Sequence, residues 1–192
     1  MHIKLGAAAV AALSAGLLVM AGAARADTTV IGNSFAGDCS QSAKSVSGNR
    51  APDQEELHQC DLAINEEVLA PHDLAATYVN RGVLYLALQN YAAAKRDFDK
   101  ASSVEPGLGE AYVNRGAALI GMGQDRQGIA EINKGIGLNA MEPEKAYFNR
   151  ALAEERLDDL KAAYADYQKA LELKPGWAIA QAELSRFHVS QR

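Results

Sequence analysis

Tyr78-Val79-Asn80-Arg81-Gly82 returns as Tyr112-Val113-Asn114-Arg115-Gly116, 34 residues further on, and as Tyr147-Phe148-Asn149-Arg150-Ala151 after another 35. A period near 34 residues is the signature of stacked helical hairpins, each with an apolar face that only a neighbouring hairpin can cover. The period places repeats at about 75–108, 109–142 and 144–177, with Pro143 as one extra residue between the second and third. Each repeat divides into two helices at a polar break: Gln89-Asn90, Gly123-Gln124 and Asp158-Asp159. A stack of this kind offers an extended surface rather than a catalytic pocket, so the period points to the holding of other proteins.

Other positions recur in phase. Four residues after each leading tyrosine stands Gly82, Gly116 or Ala151, and the second helices carry small residues at Ala94, Gly128 and Ala163. Phe98, Ile132 and Tyr167 follow four residues later, then Ala101, Gly135 and Ala170; Pro106 and Pro175 close repeats one and three, where repeat two has Ala140. Small residues let two helix backbones approach, the aromatics fill the space beside them, and a terminal proline cannot continue a helix. This pattern resembles the tetratricopeptide repeat family over about 100 residues. The resemblance implies an all-α, right-handed superhelical stack of about three hairpins with a capping helix at each end, and an exported bacterial member of the family.

The flanks read differently. Met1-His2-Ile3-Lys4, an apolar run from Leu5 to about Met20, and Ala24-Arg25-Ala26 form the charged start, apolar middle and small-residue exit of a secretory signal at 1–26. Cleavage after Ala26 would leave the protein in the periplasm with no stable membrane anchor. The alternative is a retained anchor, because the uncharged run from Leu5 to Ala24 is just long enough to span a bilayer. Residues 27–52 are rich in Ser, Gly and Asn and read as a flexible segment preceding the repeat domain at 53–192. Asp53–Ala70 has apolar residues at helical spacing and reads as an unpaired helix capping repeat one. Residues 176–189 read as the C-terminal capping helix. Cys39 and Cys60 are the two cysteines, both in the exported part, and an oxidising compartment favours their pairing as a disulfide. The alternative is two separate thiols, with Cys60 filling an apolar helix face.

Composition excludes several functions. The net charge of −5 falls to −7 without Lys4 and Arg25, the charged residues of 1–26, so nucleic acid and anionic lipid are poor ligands. The histidines His2, His58, His72 and His188 have no metal-ligand spacing, and no nucleophile motif occurs. The expectation is a non-enzymatic module with no catalytic residues, no metal and no cofactor.

Arg81, Arg115 and Arg150 each stand 16 residues before an acid: Asp97, Glu131 and Asp166. That offset places cation and anion on the two helices of one hairpin and predicts a repeated structural ion pair. Three glycines, Gly128, Gly135 and Gly137, weaken the second helix of repeat two and suggest a soft joint after it. The resemblance further implies that the first helices line a concave groove. On it the family pattern puts Asn80, Asn114 and Asn149, with Val79, Val83 and Leu86, then Val113, Ala117 and Ile120. Repeat three would add Lys145, Phe148, Leu152 and Arg156. An Asn amide donates and accepts together, which suits the backbone of an extended peptide; the alternative is that these amides hydrogen-bond neighbouring helices. Some relatives clamp a C-terminal carboxylate there with Lys, Asn and Arg, but Val79, Val83 and Asn149 depart from that set and no clamp is expected. The functional expectation is an adaptor or assembly scaffold that holds a peptide segment or helix of a protein partner of unknown identity. The alternative is a self-associating structural protein of the cell envelope.

Overall fold

The structure, a computed structural model of the chain, describes residues 2–5, 34–46 and 51–190. The cleavage site proposed after Ala26 lies outside the described residues. The chain divides into two compact units at Met141 and Glu142, beside the extra Pro143 that shifts the repeat.

The larger unit holds α1 (Phe35–Ser45), α2 (Gln54–Glu66), α3 (Pro71–Ala87), α4 (Tyr91–Val104), α5 (Gly109–Gly121) and α6 (Asp125–Gly137). Local chemistry fixes the helix starts. Ser34 accepts a hydrogen bond from the Gly37 amide at 3.0 Å. Asp53 and Glu56 cap α2 reciprocally, satisfying backbone donors that the first turn leaves open. Pro71 opens α3, where its missing N–H costs no helical bond. Helices α3/α4 and α5/α6 are the hairpins of repeats one and two, and α5 packs on α4 and α3 to stack them. Three hairpin turns pass through a left-handed residue at matching positions, Gln89 (φ 57°), Gly123 (φ 76°) and Asp158 (φ 63°). Repeat two alone fills it with glycine, which has no Cβ to oppose that conformation.

The close approach predicted from the small residues is present. A Cβ at Gly82 would fall 2.5 Å from the Phe98 ring, and one at Gly128 would fall 2.4 Å from Ile120 and 2.8 Å from the Gly116 carbonyl. A Cβ at Gly135 would fall 2.4 Å from Val113. Gly128 and Gly135 therefore serve packing and do more than loosen α6, whereas Gly137 has no neighbour within 4 Å.

The smaller unit holds β1 (His2–Leu5), α7 (Pro143–Arg156), α8 (Leu160–Leu173), α9 (Ala178–Ser185) and β2 (Phe187–Ser190). Helices α7/α8 are the hairpin of repeat three, and α9 packs on α8. Its core gathers Phe148, Leu152, Tyr167 and Phe187 with small residues between them. Phe148 meets the Tyr167 ring edge-on at 5.4 Å and the Trp177 ring at 5.2 Å, geometries that suit the ring quadrupoles.

Three expectations about the flanks need correction. Residues 27–52 are not uniformly flexible: α1 occupies Phe35–Ser45, with Ala36, Cys39 and Ala43 buried. Helix α2 is accordingly not unpaired, because it packs on α1 as well as on α3. The C-terminal helix ends at Ser185 rather than 189, and the chain turns into β2, which pairs antiparallel with β1. A short ladder thus joins an otherwise helical fold. Composition hid α1 because a disulfide, not a large apolar face, holds it.

Candidate functional site

The repeated arginines form the best-defined polar geometry. Arg81 on α3 donates to both carboxylate oxygens of Asp97 on α4, through Nε and Nη2, each at 2.8 Å. Arg150 on α7 grips Asp166 on α8 in the same bidentate way, at 2.6 and 2.8 Å. Arg115 on α5 reaches only one oxygen of Glu131 on α6, from Nε at 3.0 Å and from Nη2 at 2.5 Å. The planar guanidinium fork matches a carboxylate in this way.

Two features of these arginines were not read from the sequence. Each lies over the tyrosine three residues before it: Arg81 over Tyr78 at 5.7 Å, Arg115 over Tyr112 at 4.9 Å and Arg150 over Tyr147 at 5.1 Å. The third donor also reaches backward along the chain. Arg81 Nη1 donates to Asp61 on α2 at 2.7 Å, and Arg115 Nη1 donates to Asp99 on α4 at 3.1 Å. Arg81 and Arg115 thus each close their own hairpin and tie it to the element before. The signal was present, since Asp99 stands 16 residues before Arg115, the same offset as the acid after it.

Burial opposes the charge on Arg81, but the hydrogen bonds to Asp97 and Asp61 outweigh it and hold the guanidinium above its ordinary range. Burial is also the largest influence on Asp97 and pushes its carboxyl up, with Arg81 pulling it back. Around Arg150 a second carboxylate crowds in. Burial, then the Asp166 charge, push Glu154 up to about 7, against the pull of Arg150. One Glu154 oxygen is buried without a hydrogen-bond partner. Arg186, just past α9, donates to Glu155 on α7 and to Glu183 on α9. Tyr167 also donates to Glu155, at 3.3 Å, and burial raises its hydroxyl well above the ordinary tyrosine range.

The asparagines are placed differently from the expectation. Asn80 is 3% exposed and Asn114 and Asn149 are 0% exposed. None forms an open surface as it stands. Asn114 and Asn149 are both engaged by neighbours, as a buried amide must be to avoid the cost of lost hydration. In the larger unit their expected neighbours Val83 and Ala117 are buried as well. In the smaller unit Phe148 and Leu152 belong to the apolar core, and Lys145 is buried with its ammonium on Glu142 at 2.8 Å. Arg156 is the exposed member of that set. Within each unit, therefore, most of the residues assigned to the groove are buried, and Phe148 and Leu152 contribute to the core.

Cys39 on α1 and Cys60 on α2 are joined in a disulfide, with their Cα atoms 4.8 Å apart. Among the described residues no cluster of His, Cys, Asp and Glu is arranged to hold a metal, and no helix is long and apolar enough to cross a membrane.

A sequence model of the tetratricopeptide repeat matches residues 75–107 and 144–176. The chain is 31% identical over 95 residues to the DnaJ homolog subfamily C member 7 homolog of Dictyostelium discoideum, spanning 47% of this chain but 17% of that protein. Among solved structures it resembles the first tetratricopeptide domain of the human RPAP3 protein, at 28% identity and a TM-score of 0.56, covering 60% of this chain and 90% of that one. It also resembles the first such domain of Spaghetti (RPAP3), solved bound to the HSP90 peptide SRMEEVD, at 27% identity and a TM-score of 0.54, covering 58% and 87% of the two chains. Two hairpins match the tetratricopeptide repeat in sequence, and the hairpin stack is similar in structure to tetratricopeptide domains.

Proposed function

We propose that this protein is a non-enzymatic, exported adaptor or assembly scaffold that holds an extended segment or helix of a protein partner on the first helices of its hairpins. The likeness to a repeat domain solved with a peptide bound carries this reading. The side chains on those helices suit it. Val79, Val83, Val113 and Ile120 supply apolar area, and Asn80 and Asn114 supply amides that can pair with a peptide backbone. In the smaller unit Phe148 and Leu152 play the apolar part, with Lys145 and Arg156 beside them. Helix packing already fixes the rotamers of these side chains, so little side-chain ordering entropy would oppose binding once they are reached. Because these residues are covered in the present state, engagement requires them to become accessible. Export is supported by the leader-like segment 1–26 and by the disulfide between α1 and α2.

Site-specific photocrosslinking in cells tests the reading. Probes at Asn114 and Phe148 are expected to capture a common partner several-fold better than probes at the exposed Lys100 of α4 and Lys161 of α8. Equal capture from all four positions would reject the groove as the binding surface. N-terminal sequencing of exported protein is expected to begin at Asp27; a start at Met1 would reject cleavage.

A further inference from the structure

Residues 2–5 are the one segment of the leader that is described, and they do not stand apart from the fold. They form β1, paired antiparallel with β2 in the register Ile3 with Val189 and Leu5 with Phe187. Side chains two apart in a strand point to one face. Ile3 and Leu5 accordingly pack against the smaller unit's apolar core, and Lys4 between them is exposed. Beneath the ladder lie aromatic rings: Phe187 is 5.8 Å from Tyr164 and 5.8 Å from Tyr167.

We propose that the edge of β2, with the aromatic core beneath it, is an acceptor site for an extended segment of another protein, and that residues 2–5 occupy this site in cis. The ligand chemistry is read from β1: a strand running antiparallel to β2, with two aliphatic side chains two residues apart and a polar or cationic residue between them. This proposal rests on the removal of residues 1–26 proposed above, for that step takes β1 away. It leaves the backbone N–H and C=O groups of Phe187–Ser190 on that edge without their ladder, and it uncovers the apolar side chains that Ile3 and Leu5 had covered. An unpaired strand edge over apolar surface is a template for strand addition. A ladder of this length is also easily exchanged, since an isolated two-stranded sheet is marginal in water.

The test uses the full-length chain, so it does not depend on processing. In the double variant Ile3→Asp, Leu5→Asp, hydrogen exchange of the Phe187–Ser190 amides is expected to speed at least tenfold. A peptide of residues 1–8 is then expected to restore the protection in a saturable way, and to shift the fluorescence of Trp177, which packs against the same core. The same peptide with Asp at positions 3 and 5 is expected to act at least tenfold more weakly. Lys4→Pro provides a second route to release β1 without charging the core, and protection within α7 and α8 distinguishes release from unfolding. Unchanged exchange at Phe187–Ser190 in both variants would overturn the proposal, as would released strands that the peptide does not protect. If protection returns without peptide while light scattering reports a doubled mass, a second copy is the occupant and the proposed partner class is wrong.

Discussion

At the residue scale the repeated Arg–acid pair has a stability consequence that depends on burial. The Asp97 side chain is 6% exposed, whereas Asp99, the other kind of arginine partner, is 42% exposed. Asp97→Asn leaves a partly buried guanidinium with only the half-exposed Asp61 as its carboxylate partner and is expected to cost about 3 kcal/mol. Asp99→Asn is expected to cost less than about 1 kcal/mol, because water already screens that pair. Urea denaturation of the two variants measures the contrast, and equal losses would refute it. Glu154 supplies a pH dependence. Its folded pKa, about 7, lies above the ordinary 4.5, so between those values the folded state binds more protons than the unfolded one. Glu154 therefore favours folding at acid pH, and this contribution is lost as pH rises through about 7. The groups that face it are Asp166, Arg150 and Asp159. Glu154→Gln keeps the shape without the charge and is expected to raise stability at pH 8, by at most about 3 kcal/mol before solvent screening reduces it. Thermal melts at pH 5 and pH 8 should show a gain in the variant at the higher pH and little change at the lower.

At the element scale, the hairpins depend on backbones that touch. The small positions were legible from sequence because they recur in phase, but which small residue each site tolerates was not. Ala94 and Ala163 occupy the position that Gly128 fills in repeat two, which suggests that alanine would be harmless there. The structure says otherwise, because Ile120 takes up the space a Cβ would need. Gly128→Ala is expected to destabilise by about 1–3 kcal/mol through overpacking, despite alanine's better helix propensity. A melting temperature at or above the parent's for Gly128→Ala would show that α5 and α6 can part without penalty. The turns carry a related lesson: equivalent left-handed residues are Gln89, Gly123 and Asp158, and only the glycine announces itself in the sequence.

At the scale of the whole molecule, the disulfide holds the least predictable part of the fold. Helix α1 has a modest apolar face, and Glu67 accepts hydrogen bonds from the amides of Phe35, at 2.7 Å, and Ala36, at 3.2 Å, at its start. The bond spans 21 residues, and opening it is expected to cost about 3 kcal/mol in the chain-entropy model. Chemical denaturation with and without reductant checks this, and α1 amides should lose exchange protection first. The sequence by itself determined the hairpin period, the helix pairs, the intra-hairpin Arg–acid partners and the pairing of the cysteines as the favoured choice. Each of these follows from local spacing repeated in phase or from simple counting. Only the tertiary structure decided that the asparagines are buried, that Arg81 and Arg115 reach back to Asp61 and Asp99, that α1 exists, and that α9 is followed by a strand paired with residues 2–5. Those outcomes depend on which surfaces distant segments bring together, and a repeat period carries no information about contacts made by the residues outside it.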